Sequence, residues 1–253
     1  MRSHASTFVA AVISAVCLIE ANSANAQSGD DWEFAEDTAR NLSVAAVRFD
    51  GGQAIIVQCN AGELKVALQG LPDRTGPSHR LLAERTDGQT DVQTWQINAG
   101  RTWFSGVPSR DARFLRSSGV FKFRSASGQP SPLSAAFTLP SEHANLDRVL
   151  TACGYALRDD RDALARAEVM QTVVTSDSGS TAGAPGRSME ISCIIRNGNY
   201  QDCRVDHMMP GQRESSARRE AARWNGKRVN PADAAANEGR VSYIYVALLV
   251  VRQ

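Results

Sequence analysis

Four cysteines constrain the fold of this chain more than any other feature of its sequence: Cys59, Cys153, Cys193 and Cys203. A fifth, Cys17, lies in an N-terminal segment that we expect to be removed. Four cysteines allow three disulfide pairings. The alternative is a metal site, but zinc sites usually contain two cysteines separated by two to four residues, and the chain has no such pair. We therefore predict two disulfide bonds.

The segment between Cys193 and Cys203 favours one pairing. It consists of an apolar run, an Asn-Gly-Asn turn and a second run. A three-residue loop centred on Gly198 would place these two cysteines opposite each other on adjacent antiparallel strands. Cys59 and Cys153 are then left to pair. Their bond closes a loop of more than 90 residues and would stabilise the fold by roughly 4 kcal/mol.

Residues 1–26 have the parts of a secretory signal peptide. Arg2 precedes an apolar run of 12 residues, Phe8–Ile19, and a polar stretch then ends in an Ala-Asn-Ala triplet that favours cleavage after residue 26. The alternative is an uncleaved membrane anchor, but a membrane-spanning helix needs about 20 apolar residues. We therefore expect a periplasmic protein with no transmembrane segment in the mature chain. An oxidising compartment also suits the predicted disulfides.

Length and charge restrict the classes of protein to consider. The chain has 253 residues, of which 42% are hydrophobic, and its formal net charge is +1. This length has room for one large or two small domains, and the hydrophobic content is sufficient for a core. Because nucleic-acid-binding domains carry a basic excess, the near-neutral balance argues against nucleic acid as the main partner.

Residues 27–170 show mainly the period-two alternation of β-strands, with glycine-rich turns between short runs. Strands at this spacing indicate a β-sandwich or a barrel, and we predict a disulfide-stapled β-sandwich. Helices are predicted from Ser109 to Arg116, from near Ser141 to Cys153, and from Asp159 to Met170. The predicted strands are Ser43–Phe49, Gln53–Cys59, Glu63–Leu68, His79–Glu84, Val92–Ile97, Val120–Arg124 and Ala135–Leu139.

A linker is predicted at residues 171–187, because its second half is rich in Ser, Gly, Ala and Pro and has no apolar period. Residues 188–253 then form a second unit, in which one helix packs on a small antiparallel sheet. The whole chain is thus predicted to be mainly β plus α+β. The elements of the second unit are a hairpin around Cys193 and Cys203, a helix Arg213–Trp224 that ends at Asn225-Gly226, and a strand Val241–Val251.

This second unit resembles the carboxy-terminal domain of TonB, in the form where two cysteines flank the first hairpin. In that family a Pro-Gly turn, an Ala-rich helix, an aromatic residue with basic residues and a proline, and a glycine before the last strand follow the hairpin. The chain departs from the family at 215–216 and 218–219, which are polar where the helix is usually apolar, and it has no Pro-rich spacer or anchor for energy transduction. The matching residues are Pro210, Gly211, Ala217, Ala221, Ala222, Trp224, Arg228, Pro231 and Gly239.

The resemblance to TonB implies binding by strand addition, in which an extended peptide pairs with an exposed sheet edge. The last strand is long, β-branched and aromatic, and would offer this edge to an envelope protein or peptide, such as one of the outer membrane. The alternative is a central strand that is buried on both faces, with the edge on a neighbouring strand. The predicted partner-binding residues are Tyr243, Ile244, Tyr245 and Val246.

Residues 32–72 and 134–155 resemble periplasmic β-sandwich proteins of the invasion-associated locus B type. The shared features are a first strand pair around Gln53–Cys59 and a closing strand that leads into a short helix with a cysteine. This resemblance provides no catalytic residues. It implies an exported, mostly β, non-enzymatic domain.

We find no motif for a catalytic centre in the sequence. It contains no G-x-S-x-G elbow and no H-E-x-x-H pair. Asp202, Asp206 and His207 could gather a metal ion, but polar residues at a strand end are the simpler interpretation, and the Asp-rich segment 159–162 lacks the Gly and distal Glu of a calcium loop. The basic residues between 213 and 228 spread around the helix and favour a solvated surface over a site for an acidic partner.

We therefore predict an exported, non-enzymatic binding protein, with no catalytic residue, metal or cofactor. Its TonB-like unit would engage an envelope protein or peptide. The alternative is an invasion-associated locus B type envelope or virulence factor that acts through the first unit, with the second unit passive.

Overall fold

The computed structural model describes residues 30–72, 76–97, 101–127, 132–168, 171–176 and 187–249. The predicted signal peptide and residues 177–186 of the predicted linker lie outside these ranges. Residues 30–168, here called the first module, carry a large antiparallel sheet, and residues 171–249, the second module, carry a small one.

The first module contains a nine-stranded sheet in the order β1-β2-β3-β4-β7-β6-β5-β8-β9, with every neighbouring pair antiparallel. All seven strands predicted for this region are present, and β1 and β7 were not predicted. The strands are β1 (Glu33–Asp37), β2 (Leu42–Phe49), β3 (Gln53–Asn60), β4 (Glu63–Gln69), β5 (Ser78–Glu84), β6 (Thr90–Ile97), β7 (Thr102–Ser105), β8 (Gly119–Ser125) and β9 (Ser134–Leu139).

This sheet folds over to enclose one core. Phe49 of β2 and Phe137 of β9 lie far apart in the strand order, yet their ring centroids are 4.7 Å apart. Alternate residues of β3, β5, β6 and β8 are buried, as the period-two pattern predicts. The largest side chains in this core are Trp32, Trp95, Trp103, Phe121 and Phe123, each at most 1% exposed.

Two helices close this core, α1 (Pro108–Phe114) and α2 (Ala144–Ala152). Leu146, Val149 and Leu150 of α2 are fully buried, which confirms the face predicted from their spacing. Cys153 follows α2 and forms the predicted disulfide with Cys59 of β3, with 5.5 Å between the two Cα atoms.

The prediction of a charged helix from Asp159 to Met170 is wrong. The chain makes a short 3₁₀ turn at Asp160–Ala163 and then continues extended. The Asp159 side chain accepts a hydrogen bond from the backbone N–H of Arg161 at 2.8 Å. Short acidic side chains often bind the backbone in this way, which favours turns over helix interiors.

The second module contains a four-stranded sheet in the order β10-β13-β11-β12. The hairpin, helix and last strand occur where they were predicted. The sheet is mixed, however, because β10 pairs with β13 in parallel, and β10 begins where a linker was predicted. The elements are β10 (Gln171–Ser176), β11 (Arg187–Arg196), β12 (Asn199–Met208), α3 (Glu214–Trp224), α4 (Pro231–Ala234) and β13 (Val241–Leu249).

The hairpin between β11 and β12 turns in two residues rather than the predicted three. Asn197 and Gly198 both adopt positive φ, 52° and 70°, as a two-residue turn that matches the twist of the strands requires. A register shift at Ser192–Ile194 then places Cys193 against Cys203, with their Cα atoms 4.1 Å apart. The predicted Cys193–Cys203 disulfide is confirmed.

Candidate functional site: a groove along the outer edge of β12

The four residues predicted to bind a partner do not lie at a sheet edge. β13 is hydrogen-bonded to β10 on one side and to β11 on the other. Tyr243, Ile244 and Val246 are at most 2% exposed, and Tyr245 is half-buried. The expectation of an open edge at β13 is therefore corrected, because both edges are occupied. The structure has the alternative arrangement, a central strand.

Strand β12 lies at one end of the small sheet and has a single strand neighbour, β11, among the described strands. The first part of its outer edge, the edge turned away from β11, is covered. The backbone groups of Tyr200 bond to Lys227 at 2.9 Å and to Gly226 at 2.7 Å, and the side chain of Asn225 accepts from Cys203 N–H at 3.0 Å. The remaining residues of the strand, from Arg204 to Met208, line a groove.

The groove has a volume of about 1200 Å³ and lies between the two modules. The first module provides one wall, from the start of β2, the β3–β4 turn and the C-terminal end of α2. The second module provides β12 and one side of α3. The residues that define these walls are Leu42, Gly62, Gly154, Val205, Met208 and Ala221.

Small and apolar groups line most of the groove. The side of α3 that faces it presents Ala217, Ala221 and Ala222, and three disulfide-bonded cysteines also line it, Cys59, Cys153 and Cys203. Ala217 and Ala221 are at most 4% exposed and pack in the core of the second module, so Ala222 is the alanine of α3 that is exposed to the groove.

The charged side chains of the groove are paired with one another or with neighbours. Glu36 lies 3.6 Å from Arg148, and Arg204 lies 3.0 Å from Asp206. Arg218 pairs with Glu214 one turn earlier on α3. No charged lining residue is left without an opposite charge among the described residues, so the groove favours a ligand without net charge.

His207 lies near the C-terminal end of β12. Its ring stacks on Tyr155 with 4.0 Å between centroids, and its Nε2 lies 3.1 Å from the carbonyl oxygen of Gly62. A carbonyl accepts, so Nε2 carries the proton and Nδ1 of the neutral ring is an acceptor. Burial lowers the pKa of His207, partly opposed by this hydrogen bond.

Both carboxylates of the predicted alternative metal site, Asp202 and Asp206, are paired with arginines. The carboxylate of Asp206 accepts from Arg204, and Asp202 lies 3.2 Å from Arg161. Burial raises the pKa of Asp206. Within the described ranges, no three His, Cys, Asp or Glu side chains gather closely enough to hold a metal ion.

The groove walls are held in place by a polar contact surface between the modules, here called the seam. Arg161 reaches from the first module to the carbonyl and hydroxyl of Ser192 on β11, at 2.6 and 2.5 Å. Beside it, Val107 packs against Val241 and Tyr243. The sequence did not predict the seam, because Arg161 lies in a run of charged residues that is typical of a solvated surface.

A buried ionic network lies next to the seam in the first module. Arg166 pairs with Asp91 at 2.6 Å and with Asp111, while Arg110 lies 3.2 Å from Asp91. All four are at most 6% exposed. Burial raises the pKa of Asp111, against the attraction of Arg166. The network fixes the segment after α2 against α1.

Other candidates from the sequence have local roles. His79 is buried, and its Nε2 lies 2.9 Å from the Ser125 hydroxyl. His143 precedes α2 and lies 3.4 Å from Asp147. The basic residues of α3 are exposed, as a solvated helix surface requires.

No helix within the described ranges is long and apolar enough to cross a membrane. Comparison of the chain with protein-family models, curated proteins and solved structures found no match.

Proposed function

We propose that this protein is an exported, non-enzymatic binding module that takes an extended peptide of an envelope protein into the groove. The observation that carries the proposal is the position of the outer edge of β12. Arg204 to Met208 line the groove, and β12 has no second strand neighbour among the described strands. Strand addition uses such an edge for affinity and side-chain pockets for specificity.

The residues that line the groove determine the length, side-chain size and charge of the peptide that we expect to bind. A peptide strand paired with Arg204 to Met208 would contribute about five residues, and each residue would advance the strand by about 3.3 Å. Side chains on one face of the peptide would lie toward Ala222 of α3, which leaves space for small or apolar groups. The paired charges of the groove give no advantage to a charged peptide.

The TonB-like order of the second module supports this proposal. Hairpin, helix and last strand follow one another as in that family, and strand addition is the binding mode that the resemblance implies. The edge differs, because β10 already occupies the β13 side. Export to the periplasm, the β-sandwich class of the first module and the absence of enzyme activity belong to the same proposal. The two disulfides support an oxidising compartment.

A peptide library selected against the full chain tests the proposal. We expect it to yield neutral, extended sequences, which protect the amides of 204–208 from hydrogen exchange. Ala222 is exposed and lines the groove, so Ala222→Trp fills the cleft and should weaken binding at least about tenfold by steric exclusion. Ala236→Trp, at an exposed position outside the groove, is the matched control. Equal binding to both variants, or no enrichment of peptides, would contradict the proposal.

A further inference from the structure

Glu190 of β11 joins the two modules through its carboxyl group. Its Oε1 accepts from the Ser109 hydroxyl of α1 at 2.5 Å. Its Oε2 lies 3.2 Å from the hydroxyl of Tyr245 and 3.5 Å from that of Tyr155. Ser109 and Tyr155 belong to the first module, so this carboxyl bridges the seam. Glu190 itself is 2% exposed.

No arginine or lysine forms an ion pair with Glu190 among the described residues. From α1, the nearby Arg113 directs its guanidinium to Asp162, with two hydrogen bonds of 2.6 and 2.9 Å. From β12, Asp206 adds a like charge, and the hydrogen-bond partners of the Glu190 carboxyl group are hydroxyls on α1, β13 and the segment after α2. A buried carboxylate without a cation is costly to ionise.

We propose that Glu190 is a proton-operated latch between the two modules, which closes the seam when it is protonated and loosens the seam when it is ionised. When the seam opens, water reaches the carboxyl group and removes the cost of ionisation. The closed state therefore holds the proton more tightly than the open state does. This device is independent of whether the groove binds a peptide.

The direction and size of the effect follow from proton linkage. Burial raises the pKa of Glu190 from 4.5 to about 7 in the closed state, with Asp206 acting in the same direction and Ser109, Arg113 and Tyr245 opposing. The closed state is thus favoured at low pH and loses stability as the pH rises from 4.5 to 7. With these pKa values the opening equilibrium increases roughly 70-fold between pH 5 and pH 8.

The effects of other titratable groups near the seam must be distinguished from the effect of Glu190. Burial raises the pKa of Asp206, and the pKa values of Tyr155, Tyr243 and Tyr245 are raised above 10, outside this range. Burial lowers the pKa of His207, which acts in the opposite direction. Glu190→Gln keeps the shape and a neutral group, so it isolates the contribution of Glu190.

Protection of a buried thiol measures seam opening even when open molecules are rare. Val107→Cys places a thiol in the seam, where Val107 is 2% exposed. Ala45→Cys places one in the core of the first module and reports global unfolding, and Val120→Cys, at a position 43% exposed, gives the reference rate. Each is alkylated with iodoacetamide from pH 5 to pH 8 in the oxidised full chain, and rates are divided by the reference.

We expect the corrected alkylation rate of Val107→Cys to rise by up to roughly 70-fold across this pH range. The corrected rate of Ala45→Cys should not show this rise. Glu190→Gln should remove the rise, and Glu63→Gln, at an exposed position, should leave it. Ser109→Ala removes a hydrogen bond to the carboxylate and should move the rise to higher pH.

Three results would overturn the proposal. The first is equal protection of Val107→Cys at both ends of the pH range. The second is a rise that survives Glu190→Gln or, if that variant does not fold, one that keeps its midpoint in Ser109→Ala. The third is an equal rise at Ala45→Cys, which would mean global unfolding rather than a seam that opens.

Discussion

At the scale of single residues, the chain buries charge where two modules meet. Arg166 is held between Asp91 and Asp111, while its Nε and Nη1 atoms are buried without a partner among the described residues. Such a network contributes little net stability as a whole, but it penalises the loss of any one member strongly. The side chain is thus tied to one place in the fold.

Removing the arginine tests this dependence. Arg166→Ala leaves Asp111 buried without a cation and Asp91 with Arg110 alone, so we expect a loss of about 3–5 kcal/mol in the free energy of unfolding, measured with urea. Arg218→Ala breaks an exposed pair with Glu214 and should change it by less than about 1 kcal/mol. A similar small loss in both variants would show that the buried network has no special role.

His207 gives a pH dependence of the opposite sign to that of Glu190. Its pKa is lowered in the folded state from 6.5, so the unfolded chain takes up the proton first. Stability from this residue is present above about pH 6.5 and is lost as the pH falls below it. We expect His207→Phe, which keeps the stack on Tyr155, to show a smaller loss of unfolding free energy than the wild type between pH 6.5 and pH 5. An identical loss would exclude His207 as its source.

At the scale of elements, strands with clear alternation were predictable and edges were not. Gln53–Asn60 and Glu63–Gln69 show period two and good turns, so the sequence was sufficient to place them. The segment after Asp159 was not predictable, because its arginines are buried against partners distant in sequence. For the same reason the sequence could not show that β10 pairs with β13. Because of this pairing, the candidate edge of the sheet lies at β12 instead of β13.

The two disulfides should stabilise their elements unequally. Loop-closure entropy grows with loop length, and the bonds span separations of 94 and 10 residues. We expect Cys59→Ala with Cys153→Ala to lower the free energy of unfolding by about 4–5 kcal/mol, and Cys193→Ala with Cys203→Ala by about 3 kcal/mol. Urea titration of each double variant measures this. The reverse order would mean that local packing outweighs chain entropy.

At the scale of the whole molecule, both modules contribute walls to one groove. Gly62 of the first module approaches Pro210 so closely that an added Cβ would lie 2.6 Å from it. Removing the second module would expose Glu190's partners and the contacts of Arg161, so a truncated chain is not a simple test of the first module. A point substitution in the groove keeps the seam intact.

The central claim, that a peptide of an envelope protein binds along β12, is tested most directly by photocrosslinking in intact cells. A photoreactive residue at Met208 lies in the groove, and one at the exposed Arg196 at the far end of the hairpin is the control. We predict an adduct at Met208 alone, mapped to one extended segment and lost in Ala222→Trp. No adduct from folded, exported protein, or an adduct that survives Ala222→Trp, would contradict the claim.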